Sequence, residues 1–158
     1  MNRYEPIVDG QHYHVFNRGN RKQPIFGDDS DYRSFLKKFR DSSWKYKVRV
    51  VVYTLMPNHF HSVLVQAAGG SIERLMNSVE SSAAKRFNMK YGKAGHLFQG
   101  RYRYNRIDSD TGLLVAARYI HLNPVTARLV RCPEEWPYSD FAEYVSMADG
   151  IEGVLESQ

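Results

Sequence analysis

Residues 48–65 read VRVVVYTLMPNHFHSVLV, and this stretch decides the fold. Val48 to Leu55 is rich in β-branched residues, which suit a pleated, packed surface, so it reads as a buried strand. Met56-Pro57-Asn58 breaks the run, because proline and asparagine both favour a turn. His59 to Val65 resumes as a strand, which makes the pair a hairpin. Alternate residues on a strand share a face, so His59 and His61 project together while Phe60 points toward the core. Two imidazoles on one face can share a divalent cation, but a third ligand has to come from elsewhere. Such pairs are more often solvated or hydrogen-bonded than metal-bound. The motif alone does not choose.

Working outward, Gln11 to Asn17 predicts a strand, with His12, His14 and Phe16 alternating with Tyr13 and Val15. Asp28-Asp29-Ser30 offers N-caps to a helix whose Tyr32, Phe35, Leu36 and Phe39 follow helical spacing, ending near Ser42-Ser43. Gly69-Gly70 ends the hairpin, and Ser71 caps a second helix buried along Ile72, Leu75, Met76, Val79, Ala83 and Phe87. A strand is expected over Leu97 to Ile107. Asp108-Ser109-Asp110 opens a third helix, with Leu113, Leu114, Ala117 and Ile120 as its core side and Pro124 as its stop. The order β-α-β-β-α-β followed by a helix predicts an α+β, ferredoxin-like antiparallel sheet with an added C-terminal helix.

At 158 residues the chain is long enough for one domain with a real core and short for two. A net charge of +5 favours a polyanionic partner, nucleic acid before a membrane surface. Cys132 is the single cysteine, which excludes an intrachain disulfide and a multi-cysteine zinc site and fits a reducing compartment. No apolar run approaches the roughly 20 residues of a membrane span, and the N-terminus lacks a signal-peptide core, so a cytoplasmic protein without a membrane partner is expected. Past Arg131 no lysine or arginine occurs. Trp136, Tyr138, Phe141 and Tyr144 suggest packing on the domain. A single domain over 1–145 and a frayed acidic tail over 146–158 are therefore expected.

Two further stretches could carry chemistry. In Arg118-Tyr-Ile-His-Leu-Asn-Pro124, Tyr119 and Asn123 are one helical turn apart, which places their Cβ atoms about 5–6 Å from each other. His121 should point elsewhere and reads as structural. Between Ser81 and Ile107 there is no acidic residue, while Lys85, Arg86, Arg101, Arg103 and Arg106 alternate with aromatic residues that include Tyr102 and Tyr104. Cations for phosphates and rings for bases suit single-stranded nucleic acid. A charged strand edge that discourages pairing with other sheets is the plainer alternative.

Together, Met56-Pro-Asn-His-Phe-His61, Gly95-His-Leu-Phe-Gln-Gly-Arg-Tyr102 and Arg118-Tyr-Ile-His-Leu-Asn-Pro124 resemble the REP-associated tyrosine transposases, within the HUH class of one-tyrosine transposases. The resemblance runs from His12 to about Tyr144. It departs at Trp136-Pro-Tyr-Ser-Asp140, where relatives often carry proline-tryptophan-serine-serine. The resemblance implies His59 and His61 as paired metal ligands, Asn123 as the third, and Tyr119 as the nucleophile on the C-terminal catalytic helix. It implies Mg²⁺ or Mn²⁺, although imidazole suits Zn²⁺ equally well. It also implies cleavage and rejoining of single-stranded DNA hairpins through a 5′-phosphotyrosine, as in transposition. Arg101, Arg103, Tyr102, Tyr104, Lys85 and Arg86 are the expected DNA contacts, and the assembly is a monomer or a homodimer. Two alternatives stay open: a catalytically inactive DNA- or RNA-hairpin-binding protein of the same fold, and a metal-dependent nuclease that uses activated water.

Overall fold

The computed structural model describes residues 5–156, with side chains as far as Asp149. Four strands, β1 (His12–Arg18), β2 (Val48–Met56), β3 (His59–Gln66) and β4 (Arg103–Ile107), form one sheet in the order β2-β3-β1-β4. Every pairing is antiparallel. With α1 (Asp29–Lys45) and α2 (Ile72–Tyr91) as crossovers, this is the ferredoxin-like arrangement expected. Asp28 and Ser71 cap the two helices by accepting from the N–H groups of Asp31 and Arg74.

The sheet is covered on both faces. Tyr13, Val15, Leu55, Phe60 and Leu64 pack with Phe35, Phe39, Leu75, Met76 and Val79 of α1 and α2 into the main core. On the opposite face a smaller cluster joins Val52 and Val63 to Ile120 of α3 (Asp110–Thr126). A β-bulge between Val50 and Val52 makes both cores possible. The extra residue puts Val50 in register with Leu64 of the main core and Val52 in register with Val63 of the second.

Three expectations are corrected. The strand predicted from Leu97 begins only at Arg103. Leu97, Phe98 and Tyr102 are buried in the main core, and the backbone of 97–100 is engaged instead by Asn20, Arg18 and Asn17, so strand alternation never starts there. Pro124 lies inside α3 rather than ending it. It is buried in the last turn, and backbone bonds from Ala127 to Asn123 (2.9 Å) and from Leu129 to Pro124 (3.0 Å) carry the chain past the missing N–H. Leu114, expected in the core, is 72% exposed. Each helical step turns the side chain through about 100°, so the buried stripe Leu113, Ala116, Ala117, Ile120 leaves Leu114 off its edge.

Residues 138–140 extend the sheet beyond β2, with Leu55 donating to the Tyr138 carbonyl (2.8 Å) and Asp140 to that of Tyr53 (3.3 Å). The Tyr138 ring stacks on Tyr32 at 3.8 Å. The chain then enters α4 (Phe141–Glu156), so the boundary expected at residue 145 falls within a helix. Among the described residues no helix is long and apolar enough to cross a membrane.

Candidate active site

β3 is central, paired on one side with β1 and on the other with β2. Its register sets His61 opposite Phe16 and Val63 opposite His14, so His14, Phe16, His59 and His61 share the face that α3 covers. Ile120, with no exposed surface, seats α3 on Val52 and Val63. One helical turn of α3 then overhangs the histidines. Tyr119 stands beside His61 with ring centroids 5.5 Å apart and is 55% exposed. Asn123 turns inward, its Oδ1 lying 3.3 Å from Nε2 of His59. The rings of His59 and His61 are 5.0 Å apart and nearly perpendicular.

Four of the residues singled out in the sequence therefore meet: His59, His61, Tyr119 and Asn123. All come from one chain. Two neighbours in the cluster were not recognised as part of it. The sequence places His14 only on a face of the first strand, but its Nε2 is 2.9 Å from Nδ1 of His61. Asn58 was read only as a turn residue, but its Oδ1 is 2.7 Å from Nδ1 of His59. The first contact joins residues 47 positions apart and is invisible without the β1–β3 register. The second lies within the Pro-Asn-His stretch, where the signal was an acceptor side chain directly before a histidine.

Burial holds all three imidazoles toward the neutral form. Burial lowers both His14 and His59 below the ordinary histidine range; for His59 the contact with Asn123 opposes this and nearby Arg18 adds to it. His61 is lowest, pushed to about 3 by burial and then by His14 and His59. Neutral rings keep a bare nitrogen at physiological pH, as metal ligation requires. The donor set of two imidazole nitrogens and an amide oxygen fits a borderline divalent cation. Two cis ligands on an ion held at about 2.1 Å are about 3 Å apart, close to the His59–Asn123 separation. Among the described residues no group of three or more His, Cys, Asp or Glu side chains could hold a metal ion, and the side-chain atom facing His59 Nε2 is the amide oxygen of Asn123.

The expected DNA contacts are divided by the sheet. Arg103 is exposed on β4 opposite Phe16 and shares the histidine face. Lys85 and Arg86 lie on α2, across the sheet, and Arg86 bonds Ser30 and sits 3.5 Å from Asp31. Arg101 is exposed over the Tyr102 ring (5.3 Å) and pairs loosely with Glu73. Tyr102 is only 4% exposed, and Tyr104 packs edge-on to Tyr13. Both rings serve packing here. His121 also behaves as read: buried, turned away from Tyr119, and bonded to Asp140 at 2.7 Å.

Comparison with known proteins gives a consistent picture. The fold is similar to that of a REP-associated tyrosine transposase solved bound to a REP hairpin, with a TM-score of 0.75 at 17% identity over 92% of this chain and 86% of the other. It is also similar to a putative transposase from Deinococcus radiodurans R1, with a TM-score of 0.51 at 16% identity over 73% of this chain and 92% of the other. No curated protein matches the sequence at a significant level. Residues 7–123 match the family described as "Transposase IS200 like", a span running from before β1 through Asn123. The chain belongs to the IS200-like transposase family.

Proposed function

We propose that the protein binds single-stranded DNA hairpins and cleaves and rejoins them through a covalent bond to Tyr119. The observation that carries this reading is the meeting of Tyr119 and Asn123 from α3 with His59 and His61 from β3, the Asn123 and His59 atoms 3.3 Å apart. The likeness to a hairpin-bound relative supports the choice of substrate.

His59, His61 and Asn123 would hold a divalent cation, Mg²⁺ or Mn²⁺, which would supply polarisation of the scissile phosphate and offset charge on the leaving oxygen. Tyr119, half exposed beside that position, is open to an incoming strand. Its Oη attacks phosphorus in line, and the bond from phosphorus to the 3′ oxygen breaks. The phenolic proton departs, the leaving oxygen is protonated to a 3′-hydroxyl, and a 5′-phosphotyrosine remains. Attack by a 3′-hydroxyl on that linkage reverses the step, so joining needs no external energy source. A phenol of ordinary pKa near 10 is a weak nucleophile at neutral pH, and fixed alignment of Oη with the phosphate is what the rigid α3–β3 packing contributes.

The test is incubation of the full chain with a labelled single-stranded hairpin and Mn²⁺, followed by denaturing electrophoresis. A retarded protein–DNA band is expected. It should vanish with Tyr119→Phe while hairpin binding persists, and vanish with EDTA or His59→Ala. Cleavage without an adduct would instead mean attack by water, and binding without cleavage in any divalent metal would mean a binding module.

A further inference from the structure

We propose that Asn58 and His14 are positioning residues that accept the Nδ1 proton of the two ligand histidines, Asn58 holding His59 in that tautomer before the metal arrives and His14 taking up the His61 proton when Nε2 is engaged. The inference rests on the metal reading above.

For His59 the chain of contacts closes. Arg21 and Lys22 both adopt left-handed backbone, with φ of 54° and 60°, and the tight turn they make is held by Lys22 N–H donating to Gly19 O and Gln23 N–H to Asn20 O, each 3.0 Å. Non-glycine residues rarely take this conformation, and two in succession are costly unless the surroundings demand it. The turn presents the Lys22 carbonyl to the Asn58 side chain, whose Nδ2 donates to it at 3.3 Å. That bond fixes which end of the amide faces where, a choice the heavy-atom shape alone leaves ambiguous. The Asn58 oxygen is thereby directed at His59 Nδ1, 2.7 Å away. An amide oxygen only accepts, and both ring nitrogens face one. The 2.7 Å contact to Asn58 is the stronger hydrogen bond and the 3.3 Å contact to Asn123 the weaker, so Nδ1 carries the hydrogen and Nε2 is bare. Nε2 faces Asn123 Oδ1 at 3.3 Å, which sets two lone-pair atoms at the separation of neighbouring ligands.

For His61 the partner is another imidazole. The Nδ1 atom of His61 and Nε2 of His14, 2.9 Å apart, share one hydrogen. With the hydrogen on His61 Nδ1, His14 is the acceptor and His61 Nε2 is bare. With it on His14, His61 carries its hydrogen on Nε2 and cannot ligate through that atom. The His14 ring is held between Phe16 (4.9 Å) and the edge of Tyr119 (6.4 Å), so a change of position does not relieve the pairing. Metal-bound histidines generally donate their second N–H to a fixed partner, and removing that partner lowers metal affinity about 10- to 100-fold.

The test has two readouts besides activity. In metal-free, ¹⁵N-labelled full-length protein, two-bond proton–nitrogen correlation spectra should show His59 protonated on Nδ1 and bare on Nε2. A hydrogen on Nε2 of His59 overturns the inference, whatever any variant does. Calorimetric titration with Mn²⁺ should then show affinity lowered about 10-fold or more by Asn58→Leu and by His14→Phe. Asn58→Asp, which keeps the acceptor, should bind Mn²⁺ at least as tightly as the parent. If both apolar variants bind like the parent and the histidine tautomers are unchanged, the positioning roles are wrong and the metal reading stands. If the parent binds no Mn²⁺ that His59→Ala abolishes, the metal reading fails, and the tautomers alone decide the positioning claim.

Discussion

His121 of α3 and Asp140, nineteen residues further on, are joined at 2.7 Å in a buried contact that ties the helix bearing Tyr119 to the sheet. The same carboxylate oxygen accepts from the Tyr53 N–H of β2 at 3.1 Å. The Tyr144 hydroxyl donates to the Val51 carbonyl, and its ring and that of Phe141 enclose the imidazole. Asp140 thus links β2, the added strand segment and α3.

Asp140→Ala should destabilise the protein by about 2–4 kcal/mol, because it leaves a buried imidazole N–H and a backbone N–H without an acceptor. Urea denaturation followed by circular dichroism measures this. Adduct formation should fall more than hairpin binding, since α3 loses its anchor while the basic surface is untouched. Equal losses in both would show that the anchor has no specific bearing on Tyr119.

Ile120 is the buried center of the contact between α3 and the sheet. Ile120→Ala should cost about 2–5 kcal/mol through lost burial and an unfilled cavity. Leu114→Ala, on the exposed side of the same helix, should stay within about 0.5 kcal/mol. Paired chemical denaturation curves separate the two. A similar cost at both positions would contradict the assigned orientation of α3.

Glu80 supplies a pH dependence of known sign. Burial pushes its carboxyl up to about 7, against a smaller opposing effect of the Asn17 amide, which donates to it at 2.9 Å. A folded-state pKa raised above the unfolded 4.5 means that the folded chain holds the extra proton between those values. Stability should therefore fall as pH rises from 4.5 to about 7, by at most about 1.4 kcal/mol per pH unit from this group, and level off above. Glu80→Gln keeps the acceptor for Asn17 and cannot ionise. It should be more stable than the parent at pH 8, by about 1–3 kcal/mol, and similar at pH 4. Thermal melts at the two pH values would refute this if the difference were absent or reversed.

Arg103 shares the histidine face and Lys85 does not. Arg103→Ala should weaken hairpin binding and reduce the slope of log affinity against log salt by about 0.7–0.9, the loss of one phosphate contact. Lys85→Ala should leave the slope unchanged. Fluorescence anisotropy over a salt series distinguishes them, and a larger effect at Lys85 would move the DNA path to the α2 side.

Local patterns carried most of the secondary structure. The caps Asp28 and Ser71, the Pro57-Asn58 turn and the helical stripes of α1 and α2 are written within short windows, and the β-α-β-β-α-β order follows from them. The pairing of His59 with His61 was equally local, since alternation along a strand is a two-residue property. Tyr119 and Asn123 could be placed one turn apart on a helix, and the family resemblance gave them roles.

Contacts set by strand register and by the docking of α3 were not legible. That His14 meets His61 depends on the antiparallel register of β1 and β3, and a slip of one residue would turn either histidine to the other face. That Val50 and Val52 serve different cores depends on a bulge that the run Val50-Val51-Val52 does not announce. Tyr102 looked available for stacking because it lies among arginines, but tertiary packing buried it. The sequence by itself determined the four strands and first three helices in outline, though not α4 or the added segment at 138–140, and which chemical groups the protein has. Only the tertiary structure decided which groups meet, because distances between elements depend on register, burial and helix docking.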